Sequence, residues 1–223
     1  MDVQQDIRKE QADEVEVASF YHDFEQPDPP HQGLYLTKML ALLKSANGIN
    51  KILDVGCGDG NFTASLAEHS YEMYGIDRSA GGVAKARQRY PKIHFQIASA
   101  HDDFRSPFSG VRYFDAVVSV EVIEHLYSPR QFAKQCVSAV RPAGLIIVTT
   151  PYWGYVKNLA LAISNRTDRA LTALWEGGHI KHFSYRTLRT LFEQAGAEFI
   201  SFHGCGRGIP GLWNGMLMAF RKP

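Results

Sequence analysis

The chain has 223 residues, 45% of them hydrophobic, so it can bury the core of one large domain. Its formal net charge of +1 argues against broad electrostatic attraction to nucleic acid or to an anionic membrane. The N-terminus is too charged for a signal peptide, no apolar run reaches the roughly 18 residues that span a bilayer, and the three cysteines form no C-x-x-C pair. We therefore expect a cytoplasmic protein without an integral membrane segment and without a nucleic-acid partner.

The first predicted elements precede any strand. Residues 1–33 are polar with a short aromatic run, and they predict an N-terminal segment that could act as a lid. Residues 34–46 carry apolar side chains at helical spacing and predict a helix that ends at Asn47-Gly48.

A strand, a glycine turn and a helix are predicted in KILDVGCGDGNF, Lys51 to Phe62. The apolar run before the turn is typical of a buried strand. Gly56, Gly58 and Gly60 would let the backbone turn sharply and approach a ligand closely, and Asn61 would cap the helix that follows. In open α/β sheets, ligands bind at this edge, beyond the carboxyl ends of the strands.

A second predicted strand, Met73 to Asp77, ends on an acidic residue about 20 residues beyond the glycines, where a carboxylate often binds the ribose hydroxyl pair of a cofactor. Ser79 would cap the next helix, and a third strand is predicted from Ile93 to Ile97.

The second half of the chain continues the alternation of strands and helices. The remaining predicted elements are a strand over 116–120, a helix from Pro129, a strand over 145–149, a helical cap insertion over 152–184 that Gly177-Gly178 ends, a helix over 185–195 capped by Ser184, and a hairpin of strands 199–202 and 216–220.

Four segments in this order resemble the motifs of class I S-adenosylmethionine-dependent methyltransferases, and the closest resemblance is to the ubiquinone-pathway O-methyltransferase-like group. Asp54 with the glycine turn resembles motif I, YGIDRS resembles the second acidic motif, FDAVVSVEVIEHL resembles the fourth strand, and RPAGLIIVTTP resembles the fifth strand. The resemblance implies a Rossmann-like α/β fold in a single domain over 1–223. Its sheet would have seven mostly parallel strands with a reversed last strand, and a helical cap.

The resemblance also implies the cofactor, S-adenosylmethionine, with S-adenosylhomocysteine as its product. The positions that match the family's cofactor site are Asp54, Gly56, Cys57, Gly58, Asp77, Arg78, Ser99, Ala100, His101 and Val120. Ser99 stands where the family usually has an acidic residue beside the adenine. Phe104 and Phe108 could face the adenine, but we favour the core for both.

Acceptor chemistry is predicted at Glu121, Glu124 and His125, which would share one face if the segment were helical. EVIEHL resembles an E-x-x-E-H segment of ubiquinone-pathway O-methyltransferases, some of which use a divalent cation there. His179 matches a further histidine of that group, and His182 is a second candidate. His125, His179 and Glu121 are the candidate catalytic residues. A divalent metal and a purely structural role remain alternatives.

The predicted reaction is methylation of a small molecule, and we favour oxygen as the methylated atom. Four aromatic residues near the predicted cap could enclose a flat acceptor or form ordinary cap core: Tyr152, Trp153, Tyr155 and Trp175. The alternatives are methylation at nitrogen or carbon, methylation of protein or RNA, and a regulatory protein that binds the cofactor without turnover. A nicotinamide oxidoreductase would require G-x-G-x-x-G, which this turn lacks. The acceptor and the oligomeric state are left open.

Overall fold

The computed structural model describes residues 32–171, 173–175, 178–206 and 208–223. The predicted N-terminal lid, residues 1–33, lies outside the described residues except for its last two positions. Gly177 of the Gly177-Gly178 pair, predicted to end the cap insertion, also lies outside them.

Within the described ranges, seven strands form one sheet in the order β3-β2-β1-β4-β5-β7-β6. Strands β1 to β5 pair in parallel, whereas β7 runs antiparallel to both β5 and β6, so the predicted reversed last strand is confirmed. The strands are β1 Lys51–Val55, β2 Glu72–Asp77, β3 His94–Ile97, β4 Phe114–Val120, β5 Val140–Pro151, β6 Glu198–Cys205 and β7 Gly215–Arg221.

Helices lie between β1 and β2, between β2 and β3, and between β4 and β5, whereas residues 98–113 join β3 to β4 through turns without a helix. They are α1 Gln32–Ser45, α2 Asn61–Ala67, α3 Ala80–Arg89, α4 Pro129–Ala139, α5 Tyr155–Ile163, α6 Thr167–Leu171 and α7 Tyr185–Gln194. A 3₁₀ turn over Ile123–His125 follows β4.

Two apolar clusters cover the two faces of the sheet. Strand β4 shows the division, since Val117 packs into one cluster and its neighbours Ala116 and Val118 pack into the other. Because central parallel strands are buried on both faces, they are apolar without alternation, which made them recognisable in the sequence. Phe104 and Phe108 are buried in the first cluster, so the core assignment is confirmed for both.

The predicted helix caps are partly confirmed. The side chain of Ser79 accepts a hydrogen bond from the N–H of Gly82, and Ser184 forms a capping box with Thr187. The cap predicted at Asn61 is wrong. Gly60 precedes α2 in the left-handed conformation, φ 83°, and Asn61 is the first residue of the helix.

Helices α5 and α6 lie between β5 and α7, where the cap insertion is predicted. Neither helix, although described throughout, contains a buried residue. Tyr155 is 80% exposed and Ile163 is 79% exposed, so the helical spacing of apolar residues in α5 does not form an internal core. That these helices cover the acceptor stays a prediction. In the described part of the chain, none of the helices has the length and apolar character needed to cross a membrane.

Candidate functional site

The glycine turn after β1 forms the first part of the site. Gly56, at φ 82°, leaves no room for a side chain, because a Cβ there would lie 2.2 Å from Cγ2 of Val122. Gly58 also has a positive φ of 53°, but an added Cβ would meet no described atom within 4 Å. The turn is therefore packed on the protein at Gly56 and open to a ligand at Gly58.

Asp77 holds the turn from the neighbouring strand. Its Oδ2 accepts a hydrogen bond of 2.9 Å from the N–H of Gly58, and its Oδ1 accepts one of 2.8 Å from the N–H of Ser79. The same carboxylate thus links the end of β2, the glycine turn and the start of α3. A carboxylate has about four acceptor directions, so this geometry is compatible with ribose binding as well.

Asp54, 2% exposed, lies at the base of the turn. Its Oδ2 accepts a 2.7 Å hydrogen bond from the hydroxyl of Thr63, which joins β1 to α2. Burial raises the pKa of Asp54 to about 7, although the Thr63 hydroxyl opposes the shift. Asp54 is therefore a buried carboxyl group that ionises near neutral pH.

A cavity of about 150 Å³ opens at the turn. Its lining consists of Asp54, Gly56, Cys57, Gly58, Asp59, Asn61, Phe62 and Val120. Five of these are predicted cofactor residues. Asp59, Asn61 and Phe62 were not predicted to bind the cofactor, although they belong to the same sequence motif. The open space at Gly58 and the acidic wall fit a cofactor that carries hydroxyl groups and positive charge.

The other predicted cofactor residues lie on the adjoining strand ends, outside the lining of this cavity. Arg78 is exposed beside Asp77, and Ser99, Ala100 and His101 follow β3. The hydroxyl of Ser99 accepts a hydrogen bond from the N–H of His101. Among the described residues, the buried Nε2 of His101 has no hydrogen-bond partner. Their contact with the cofactor stays a prediction.

Glu121 follows β4 in the left-handed conformation, φ 56°, which costs a non-glycine residue about 1–2 kcal/mol. Its Oε1 accepts hydrogen bonds from the hydroxyls of Tyr35, at 3.1 Å, and Thr149, at 3.2 Å. Glu121 and His125 would share one face only in a helical segment, and this condition is not met, because only the short turn Ile123–His125 is helical. Burial raises the pKa of Glu121, and those two hydrogen bonds oppose the shift.

Glu124 is buried, with 1% of its surface exposed. Its Oε2 accepts a 3.0 Å hydrogen bond from the Thr150 hydroxyl, but Oε1 has no hydrogen-bond partner within the described ranges. Its backbone carbonyl accepts the N–H groups of Ile180 and Lys181, so it ties the segment before α7 to the end of β4. Burial, and then the nearby charge of Glu121, raise the pKa of Glu124 well above its ordinary value.

Glu124, His125 and His179 come together although 54 positions of sequence separate the two histidines. A ligand atom from each lies within 4.8 Å of the others, and the two imidazole rings are 5.0 Å apart. Nδ1 of His125 lies 3.2 Å from the carbonyl oxygen of Gly178. Because a carbonyl oxygen only accepts, Nδ1 carries the hydrogen and the lone pair is on Nε2. Burial, and then the neighbouring His125, lower the pKa of His179 to about 4.

The four aromatic residues near the predicted cap lie in different surroundings. Trp175 lies 6.0 Å from His125 and 5.5 Å from His179, and Trp153 lies 4.4 Å from His182. Tyr152 instead packs 6.1 Å from Phe202 and 5.3 Å from Trp213 at the β6 edge, and Tyr155 faces solvent. The two tryptophans therefore border the histidines, while the two tyrosines do not.

A larger cavity, about 470 Å³, lies on the segment that carries Trp175. Its lining consists of Asp168, Arg169, Leu171, Ala173, Leu174 and Trp175. This cavity is far from the glycine turn in the sequence, but through Trp175 it borders the histidine pair. A volume in this range suits a small molecule.

A seven-stranded sheet with one reversed strand, a glycine turn open at Gly58 and a carboxylate at the end of β2 are features of the class I S-adenosylmethionine-dependent methyltransferase fold. The chain belongs to the methyltransferase domain family, whose model matches residues 12–201. The predicted family, fold and cofactor are thereby confirmed, and S-adenosylmethionine is the cofactor of this class.

Curated relatives carry two kinds of name. The chain is 30% identical over 159 residues to a probable S-adenosylmethionine-dependent methyltransferase of Mycolicibacterium smegmatis, a match over 70% of this chain and 56% of that protein. It is 29% identical over 179 residues to a ubiquinone biosynthesis O-methyltransferase of Dinoroseobacter shibae, over 76% of this chain and 71% of that protein. The chain thus spans little more than half the length of the first relative.

Solved structures share the fold. The N-methyltransferase NodS of Bradyrhizobium japonicum, in complex with S-adenosyl-L-homocysteine, is similar with a TM-score of 0.66 and 20% identity over 92% of this chain and 97% of that one. A putative methyltransferase of Haloferax volcanii, in complex with an activator protein, has a TM-score of 0.65 and 16% identity over 85% and 89%. Since the [4+2]-cyclase SpnF is equally similar, with a TM-score of 0.63, 18% identity and coverage of 85% and 81%, the fold alone does not specify the reaction.

Proposed function

We propose that this protein transfers the methyl group of S-adenosylmethionine to an oxygen atom of a small molecule, with His125 as the general base. The observation that carries the proposal is the convergence of Glu124, His125 and His179 at the strand edge where the glycine turn opens. The names of the ubiquinone-pathway relatives support an oxygen acceptor.

The cofactor would lie on the glycine turn. Asp77 would accept hydrogen bonds from its ribose, Gly58 would allow its close approach, and Val120 would form the apolar wall. When bound, S-adenosylmethionine supplies a methyl group that its positively charged sulfur already activates. The protein must then align the acceptor and, for an oxygen acceptor, remove a proton.

His125 is the best placed of the three candidate bases. The Gly178 carbonyl holds its tautomer with the lone pair on Nε2, the arrangement that a base requires. His179, whose pKa is lowered to about 4, is neutral at physiological pH and would add no positive charge beside it. The carboxylate of Glu121 instead accepts hydrogen bonds from Tyr35 and Thr149, which suits a supporting role.

A small acceptor is supported by the cavity bordered by Trp175 and by the low net charge of the chain. Tryptophan rings provide flat apolar walls, which suit an aromatic or other planar acceptor. We infer a cytoplasmic setting from the three buried cysteines, Cys57, Cys136 and Cys205, none of which forms a disulfide.

A divalent metal is a second candidate for the same cluster. Oε1 of buried Glu124, which has no hydrogen-bond partner among the described residues, forms with the imidazoles of His125 and His179 a donor set that fits a divalent cation such as zinc or manganese. Such an ion would lower the pKa of an acceptor hydroxyl and so replace the base.

The test compares two acceptors of one shape, catechol and 1,2-diaminobenzene, by the release of S-adenosylhomocysteine and by mass spectrometry of the product. We expect methylation of catechol and none of the diamine. Turnover of the diamine alone would favour a nitrogen acceptor. Binding of S-adenosylhomocysteine without turnover of any member of a wider panel, which would include protein and RNA, would favour a regulatory protein.

A further inference from the structure

Tyr35 connects α1, the first described helix, to the edge where the reaction is proposed. Its side chain is fully buried, and its hydroxyl donates a 3.1 Å hydrogen bond to Oε1 of Glu121, which lies 86 positions later. The helix that precedes all of the described strands therefore contacts the end of the central strand, β4.

Gly215 makes room for this contact. It is the first residue of β7, and a Cβ at this position would lie 1.8 Å from the Tyr35 hydroxyl oxygen and 3.0 Å from Cζ. No side chain can approach another atom at 1.8 Å, so the hydroxyl occupies the space that any larger residue at position 215 would fill. The phenol is thereby fixed against the carboxylate that it contacts.

The carboxylate belongs to a residue whose backbone is also held. Glu121, at φ 56°, donates its N–H to the hydroxyl of Thr149 at 3.1 Å, and the same hydroxyl donates back to Oε1. Its two chain neighbours shape the glycine turn, since Val120 lines the cavity and Val122 occupies the space beside Gly56. A change in the backbone at Glu121 would therefore move both Val120 and Val122.

We propose that Tyr35 is a positioning residue for methyl transfer, which acts by holding the Glu121 turn and, through it, Val120 and the following segment with Glu124 and His125. The proposal rests on the proposed function. Tyr35 itself would touch neither the cofactor nor the acceptor. Its contribution is the fixed geometry of the strand edge, on which in-line transfer depends.

The first test is Tyr35→Phe, which removes the hydroxyl and keeps the ring. Tyr71→Phe is the matched control, since Tyr71 packs against the same apolar cluster. With catechol and 3,4-dihydroxybenzoate as acceptors, we expect kcat to fall roughly 10- to 100-fold, the range for loss of one hydrogen bond to a charged group. KM and the affinity for S-adenosylhomocysteine should stay within about twofold of wild type. An unchanged kcat, or an equal fall in the control, would overturn the proposal.

Gly215→Ala disrupts the same hydrogen bond between Tyr35 and Glu121 without a change to either residue. Alone, it should reproduce the fall in kcat, because its Cβ displaces the hydroxyl. In the Tyr35→Phe background the 1.8 Å clash is gone and only the 3.0 Å contact with Cζ remains, so the double variant should lie close to Tyr35→Phe alone. Falls in kcat that multiply would show that the two residues act independently and would overturn the proposal.

If wild-type protein methylates neither acceptor but binds S-adenosylhomocysteine, the proposed function fails and hydrogen exchange decides the positioning role. Tyr35→Phe should then exchange faster than Tyr71→Phe at backbone amides 119–125, with equal affinity for S-adenosylhomocysteine. Equal exchange in the two variants would overturn the positioning role as well.

Discussion

The Oδ2 atom of Asp77 accepts a 2.9 Å hydrogen bond from the N–H of Gly58, so the end of β2 holds the open point of the glycine turn after β1. The distance between these residues along the chain, 19 positions, is set by α2 and by β2 itself. The carboxylate that is proposed to bind the ribose thus also shapes the surface on which the cofactor would lie.

Replacement of Asp77 should weaken cofactor binding through both roles. Asp77→Ala removes both acceptors, and we expect the affinity for S-adenosylhomocysteine to fall roughly 10- to 100-fold, since hydrogen bonds to charged groups contribute about 1.5–3 kcal/mol. Asp77→Asn keeps one oxygen and should lie between Asp77→Ala and wild type. Titration calorimetry measures the three affinities, with Asp103→Ala as a control for loss of a surface carboxylate that pairs with Arg105. Wild-type affinity in Asp77→Ala would contradict the assignment.

Gly58→Ala separates a ligand contact from backbone strain. The added Cβ meets no described protein atom within 4 Å, so any steric effect beyond the strain at φ 53° must come from the ligand. Gly110 gives a matched control, because it has φ 81° and equally open surroundings among the described atoms. Both variants should lose about 1–2 kcal/mol of stability, but only Gly58→Ala should lose affinity for S-adenosylhomocysteine, by about tenfold or more.

Calorimetry with S-adenosylhomocysteine and thermal melts on both glycine variants provide the comparison. Equal affinities in Gly58→Ala and Gly110→Ala would place the cofactor away from the turn.

The fold was predictable because its central strands are buried on both faces. The buried middles of β4 and β5, residues 116–118 and 145–148, are apolar without interruption, and the turn between β1 and α2 needs glycine at fixed places. The sequence does not show tertiary contacts of single side chains in the same way. Nothing local to Glu121 indicates its left-handed backbone. The spacing of Glu121 and His125 suits one face of a helix, but only Ile123–His125 is helical. The contact with Tyr35, 86 positions away, carries no sequence signal at all.

The ends of elements were predicted less well, for a related reason. Asn61 is a good cap by residue type, but Gly60, at φ 83°, takes that position because the chain must turn sharply at the end of the glycine motif. In α5, apolar residues recur at helical spacing, yet Val156 is 52% exposed and Leu159 is 46% exposed. Spacing predicts a helix, but it does not show what the apolar face contacts.

Asp54 should make stability depend on pH. Its pKa in the folded protein is raised to about 7 from an ordinary 3.8, so the folded state binds the proton more tightly than the unfolded state. This contribution to stability is complete below about pH 4 and is lost as the pH rises through about 7. Asp54→Asn cannot ionise and keeps an oxygen for the Thr63 hydroxyl. Its free energy of unfolding relative to wild type should therefore rise between pH 5 and pH 8, by about 2–3 kcal/mol.

Urea denaturation at pH 5, 6, 7 and 8 measures this difference. Asp115→Asn is the control with the opposite shift. Burial raises the pKa of Asp115, but the N–H of Lys51 and the guanidinium of Arg141 outweigh burial and hold this pKa below its ordinary value. The stabilisation by Asp115 is present above the unfolded pKa, so its variant should lose a constant amount across this range. A constant difference for Asp54→Asn as well would show that the pKa of Asp54 is not raised.

The cluster of Glu124, His125 and His179 allows a base, a metal site or a structural role, and Glu124→Gln distinguishes the first two. Burial raises the pKa of Glu124 well above its ordinary value and so favours its neutral acid form, which glutamine resembles in shape and charge. A base at His125 therefore predicts that Glu124→Gln retains most of its turnover of catechol. His125→Ala should lose about 10²- to 10⁴-fold in turnover while its affinity for S-adenosylhomocysteine is unchanged.

A metal predicts a different pattern, because a neutral amide is a poor ligand in place of a carboxylate. Glu124→Gln, His125→Ala and His179→Ala should then all lose turnover, a chelator should inactivate the wild-type protein, and magnesium, manganese or zinc should restore it.

A structural role predicts lower melting temperatures without a specific loss of turnover. His69→Ala, at an exposed position after α2, controls for removal of an imidazole. If His125→Ala and His179→Ala both bind S-adenosylhomocysteine and turn over like this control, neither histidine is the base, and catalysis by alignment alone is the better account.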